Sequence, residues 1–125
     1  MGMIRQLTCP SCHKTWQICT GHGMRHGTLG RVMEVFSEDI QREIAAGAAG
    51  GWLPLFHFDY RTAICGQCRD VVAVPVLRLI ENDQTYVGTC PVCGGEAEIF
   101  ADDSPITCPV CQGGQLKIQE SGRWD

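Results

Sequence analysis

Eight of the nine cysteines in this 125-residue chain fall into four Cys-x-x-Cys pairs, Cys9–Cys12, Cys65–Cys68, Cys90–Cys93 and Cys108–Cys111, and Cys19 stands apart. No other feature restricts the fold as much. A chain of 13.7 kDa closes only a small hydrophobic core, and short domains often substitute a bound metal for the missing interior. Two thiolates from one tight turn can face a single ion, and two such turns complete the tetrahedral shell of a structural zinc site. Four pairs therefore predict two sites, with two Zn²⁺ per chain.

The alternatives for so many thiols are disulfides and redox chemistry. The segment Met1 to Gln6 has no apolar stretch of the kind a secretory leader needs, so a cytoplasmic protein is expected. Thiols there are kept reduced, and metal ligation takes the place of a disulfide framework. A thioredoxin-type redox pair occurs once, at a helix start, whereas these pairs repeat between short strand-like segments. Iron binds the same four sulfurs and is the second candidate metal.

Composition sets further bounds. With 44% hydrophobic and 19% charged residues, the chain is too apolar to be a disordered tail. Its longest weakly polar stretch, Ile44 to Phe56, has 13 residues and falls short of the ~20 a membrane helix requires, so no membrane partner is expected. The formal net charge is −4, and each Zn²⁺ held by four thiolates adds a further −2, giving about −8 in the loaded protein. Polyanion binding is driven by basic patches that release counterions, so this balance disfavours nucleic acid as a partner.

Along the chain, residues 5–8 and 14–18 read as strands around the first Cys-x-x-Cys turn, with Trp16 and Ile18 alternating with polar neighbours. A glycine-rich loop follows from Thr20 to Gly30. Apolar residues at 29, 32, 33, 36, 40 and 44 then mark one helix face. Ser37 with Glu38 and Asp39 can restart that helix as a cap, so one or two helices fit, with Gly47 as the expected stop. Residues 55–65 alternate as a strand, 71–80 are apolar on both faces and read as a covered strand disturbed near Pro75, and 81–84 form a turn. Short strands at 85–89, 97–100 and 116–118 complete a β-rich α+β chain with an inserted helical segment.

Residues 90–119, with Cys90-Pro91-Val92-Cys93-Gly94 and Cys108-Pro109-Val110-Cys111, resemble a zinc ribbon with rubredoxin-like CPxC knuckles. Residues 9–80 resemble a second ribbon whose knuckles are separated by an insertion. The resemblance implies two zinc ribbons: 1–82, carrying a helical insertion at about 20–52, and 83–125, a compact C-terminal unit. Glycine after the second cysteine suits the positive φ of a knuckle. Gly94 fits, while His13, Arg69 and Gln112 stand at the matching positions.

Two ligand groupings satisfy these knuckles. The local one assigns Cys9, Cys12, Cys65 and Cys68 to site 1 and Cys90, Cys93, Cys108 and Cys111 to site 2. The alternative joins Cys65 and Cys68 to Cys90 and Cys93, and requires Cys9 and Cys12 to meet Cys108 and Cys111 across almost the whole chain. Shorter loops cost less entropy to close, which favours the local grouping.

Beyond the knuckles, Cys19, His22 and His26 offer soft or borderline ligands, and Arg25 and Arg31 bring positive charge to the same glycine-rich segment, so this loop is the candidate for an extra ligand set or an anion site. The plainer reading makes it a connector with solvated histidines and a small buried Cys19. His57, Asp59 and Arg61 alternate on one strand and read as a solvated face with an ion pair. No nucleophile triad, phosphate loop or carboxylate pair is present. The expected function is a non-enzymatic zinc-binding adaptor that serves a protein partner as an accessory subunit. The alternatives are a regulatory nucleic-acid-binding ribbon and a metal-dependent enzyme centred on Cys19, His22 and His26.

Overall fold

The computed structural model describes residues 2–23, 28–48, 55–80, 82–101 and 104–124. Seven strands and two helices follow one another as β1 (Gly2–Thr8), β2 (Thr15–Thr20), α1 (Leu29–Met33), α2 (Glu38–Ala48), β3 (Phe56–Cys65), β4 (Val71–Leu79), β5 (Gln84–Val87), β6 (Ala97–Ile99) and β7 (Lys117–Trp124). They form two sheets, β2-β1-β7 and β5-β4-β3-β6.

The topology is nested. β1 pairs antiparallel with β2 through the first Cys-x-x-Cys turn and, on its other side, with β7 from the far end of the sequence, with Gly2 opposite Trp124 and Thr8 opposite Lys117. The four-stranded sheet lies wholly between these segments in the chain. The division expected at residue 82 falls inside that sheet, between the paired strands β4 and β5. The grouping made by the strands is instead an outer unit, from both ends of the sequence, around an inner unit spanning 56–99.

Three clusters of buried side chains hold the layers together. Leu7, Trp16 and Ile18 of the outer sheet meet Val71 of the inner sheet and Ile106 and Leu116 of the last knuckle, so the two units share one core. Val32 and Ile44 of the helices and Phe36 of the link between them pack on Phe58, Leu77, Leu79 and Tyr86, with Phe36 edge-on to Phe58 at a centroid distance of 6.4 Å. Ala63, Val72 and Val74 fill the space beside Cys65 and Cys90. At about 25 cal/mol per Å² of apolar surface removed from water, these clusters are modest.

The helical segment divides as its capping residue directs. α1 ends at Met33, and Ser37 caps α2, its Oγ accepting a hydrogen bond from the Ile40 N–H at 3.4 Å. Gly47 is not the stop; it lies inside α2. A Cβ there would come within 2.9 Å of the Tyr86 hydroxyl and 3.2 Å of Leu79, so the glycine lets the helix close on the β4–β5 hairpin. Tyr86 Oη donates to Gln84 Oε1 at 2.7 Å and lies 3.3 Å from the Glu43 carbonyl, and Asn82 Nδ2 donates to the Gly47 carbonyl at 3.2 Å, satisfying a carbonyl of the last helical turn.

β4 is buried on both faces as expected, but it is central, between β5 and β3. Pro75 is tolerated there because its carbonyl faces the β5 side, accepting from the Gly88 N–H at 2.8 Å just beyond the end of that strand. No ladder hydrogen bond to β3 is lost by the missing N–H. β7 runs to Trp124, well past the expected 116–118. Trp124 Nε1 donates to the Thr20 carbonyl at 2.9 Å, and its ring lies 6.0 Å from that of Tyr60. Among the described residues no helix is long and apolar enough to cross a membrane.

Candidate metal centres

Each Cys-x-x-Cys turn is closed by the same pair of backbone hydrogen bonds. The first cysteine's carbonyl accepts from the N–H four residues on: His13 to Cys9, Arg69 to Cys65, Gly94 to Cys90 and Gln112 to Cys108, all at 2.9–3.0 Å. Its own N–H donates back to Lys14, Asp70 and Gly95 in three turns, and to Gly114, one residue further along, in the fourth. The residue after the second cysteine adopts positive φ in every case: 65° at His13, 54° at Arg69, 76° at Gly94 and 54° at Gln112. Three turns hold this conformation without glycine, at a cost of about 1 kcal/mol each.

These turns bring the sulfurs into two groups: Cys9, Cys12, Cys108 and Cys111, and Cys65, Cys68, Cys90 and Cys93, with all ligand atoms of a group within 4.8 Å of one another. The eight cysteines are those expected, but the grouping is not the local one. Cys9 and Cys12 meet Cys108 and Cys111, and Cys65 and Cys68 meet Cys90 and Cys93. Loop closure favours the local grouping only weakly: its logarithmic cost separates the two schemes by only about 1 kcal/mol. The β1–β7 ladder and the shared core around Leu7 and Ile106 outweigh it.

The distances fit one ion per group. Four sulfurs about 2.3 Å from a tetrahedral zinc lie about 3.8 Å apart; here Cys9–Cys111 is 3.5 Å, Cys12–Cys108 3.7 Å, Cys65–Cys93 3.3 Å and Cys68–Cys90 3.7 Å. Backbone N–H groups point at the sulfurs, Cys12 to Cys9, Val92 to Cys90, Gly95 to Cys93 and Gly113 to Cys111, each at 3.4 Å. Such donors stabilise thiolate charge and orient the ligands. In each turn the first cysteine is buried, while Cys12, Cys93 and Cys111 reach solvent.

Electrostatics within the groups call for a cation. The Cys12 amide, followed by further hydrogen bonds, lowers the Cys9 thiol to about 6, and the Cys68 amide does the same for Cys65, also to about 6. Once these ionise, their neighbours resist. The Lys14 amide draws Cys12 down, but desolvation and the Cys9, Cys108 and Cys111 sulfurs win and push it up to about 11. Desolvation and then the Cys65 sulfur push Cys68 up to about 12. Four thiolates share one small volume only around a divalent ion.

Contacts outside the ligands brace the turns. Gln67 Oε1 lies 3.7 Å from the Cys93 thiol, and Ser11 Oγ donates to the Gly113 carbonyl at 3.5 Å, each reaching across to the partner turn of its own group. Trp16 Nε1 donates to Asp70 at 3.2 Å, and Lys14 lies 3.7 Å from the same carboxylate, tying the outer unit to the inner one. Sequence reading missed these pairs because each joins residues that only the nested pairing brings together.

The candidate extra-ligand loop lies only in part among the described residues. Arg25 and His26 lie outside the described residues. Cys19 is exposed, not buried, on β2 opposite Ile4, and it joins no metal-ligating group among the described residues. Arg31 lies in the last turn of α1. His22 instead contacts Asp59 at 3.3 Å, and Asp59 also takes His57 at 3.0 Å, so the expected ion pair on β3 is a three-residue contact. Comparison with family models, with curated proteins and with solved structures finds no match to this chain. The reading of the centres rests on their own geometry.

Proposed function

We propose that the chain is a non-catalytic zinc-binding adaptor built from two nested zinc ribbons, each closed around one Zn²⁺, and that it serves a protein partner as an accessory subunit. The observation that carries this reading is the ligand count. Four sulfurs per group fill a tetrahedral shell and leave no position for substrate or water, which is the mark of a structural site; catalytic zinc keeps one position open. Zinc is favoured over iron because a redox-inactive ion without geometric preference suits a closed, purely structural tetrahedral site.

The adaptor role is supported by what the rigid turns display. Val92 and Val110 occupy the same place in their knuckles and are 70% and 44% exposed, presenting apolar tips on metal-stiffened loops. Native mass spectrometry should find two zinc ions per chain, and cross-linking in cells should capture the chain in a larger assembly through these tips. A chain that carries no metal, or that remains a free monomer under all conditions, would refute the reading.

A further inference from the structure

We propose a third divalent-metal site, exchangeable and separate from the cysteine groups, formed by His22, Asp59 and His57. The backbone sets up the juxtaposition. An isolated antiparallel bridge joins Gly21 to Tyr60, with the Gly21 N–H donating to the Tyr60 carbonyl at 2.9 Å and the Tyr60 N–H to the Gly21 carbonyl at 2.7 Å. His22, one residue past the bridge, therefore stands beside Asp59, while His57 lies two residues before Asp59 on β3 and shares its side of the sheet.

The side chains follow that register. His22 Nδ1 is 3.3 Å from one carboxylate oxygen of Asp59 and His57 Nε2 is 3.0 Å from the other. Nitrogen and oxygen ligands at about 2.0–2.1 Å from a tetrahedral ion lie about 3.3 Å apart, so both contacts already have the spacing of a ligand pair. Asp59 is the least exposed of the three, at 27%, against 51% for His22 and 61% for His57. Among the described residues, the ion-pair contacts of the Asp59 carboxylate are those with the two imidazoles.

Two imidazoles and one carboxylate suit zinc, nickel or copper. The rings approach opposite oxygens, and the three ligand atoms are not preassembled into a cluster. Being more than half exposed, both rings can turn toward a common ion in front of the carboxylate, losing rotamer freedom as they do so. The site is thus of modest affinity with positions open to water, unlike the closed sulfur groups.

The test uses the full tag-free chain purified with its tightly held metal, titrated with Co²⁺ and Zn²⁺. A third equivalent should bind at submillimolar free metal, with cobalt d–d bands and no sulfur-to-cobalt charge transfer. Asp59→Asn and the double variant His22→Gln/His57→Gln should each weaken it at least tenfold, with Cys19→Ser without effect. No third equivalent, or one indifferent to all three positions, overturns the proposal. Loss of the sulfur-site metal in Asp59→Asn also overturns it, since the residue would then act on folding. Folding of each variant is checked by retention of two zinc ions in native mass spectrometry and by near-ultraviolet circular dichroism, which report the cysteine groups independently.

Discussion

The two cysteine groups use identical turns but differ in what joins the turns. In the inner unit 21 residues separate Cys68 from Cys90, and the intervening β4–β5 hairpin is itself part of the sheet. In the outer unit Cys12 and Cys108 have 95 residues between them, and the turns meet only because β7 returns to lie against β1. The inner group closes a local hairpin pair; the outer group closes around it. Damage should therefore spread unequally between them.

The largest effect is expected from metal removal. A strong chelator should abolish fixed tertiary structure throughout, read by near-ultraviolet circular dichroism, because structural zinc contributes on the order of 10 kcal/mol to such modules. Next, Cys65→Ser should cost at least about 4 kcal/mol and unfold both units, whereas Cys9→Ser should open the outer unit while β3 and β4 keep their amide protection. Hydrogen exchange monitored strand by strand distinguishes these outcomes, and equal loss in both variants would abolish the distinction between the units.

Acidification tests the charge argument. Cys12 and Cys68, held up to about 11 and 12 without metal, are protonated at neutral pH, so each group must release at least one proton when it binds an ion. Apparent zinc affinity should then rise with pH and fall at least tenfold for each unit of acidification below neutrality, measured by competition with a chromogenic chelator. A pH-independent affinity would contradict the proximity of the sulfurs.

Smaller effects probe the clasp and a single turn. Trp124→Ala removes the hydrogen bond to Thr20 and the contact with Tyr60, and should cost about 2 kcal/mol by denaturant titration, at the joint where β7 and β2 meet β3. Gly94→Ala places a Cβ at a φ of 76° with no heavy atom within 4 Å. Its cost is the dihedral alone, about 1 kcal/mol, felt at the inner unit.

Much of this was legible from local chemistry. A Cys-x-x-Cys turn is specified by adjacent residues, and its demand for positive φ after the second cysteine is met at Gly94 and equally at His13, Arg69 and Gln112. Alternation located β2 and β3, and Ser37 marked the start of α2. What could not be read was which turn meets which. Pairing depends on a ladder between the two ends of the sequence and on Trp16 finding Asp70, 54 positions away, and neither leaves a periodic trace. The same limit hid His22 against Asp59, since Gly21 joins Tyr60 through one isolated bridge.

The enclosure of one unit by the other also has a temporal side. Cys9 and Cys12 leave the ribosome first, yet their companions Cys108 and Cys111 follow only after roughly 5 to 20 s of further synthesis at ordinary elongation rates. By then the four central thiols can have captured their ion. The leading pair spends the interval as a bare dithiol, and zinc supply and reducing conditions during translation decide whether it is still intact when its counterpart arrives.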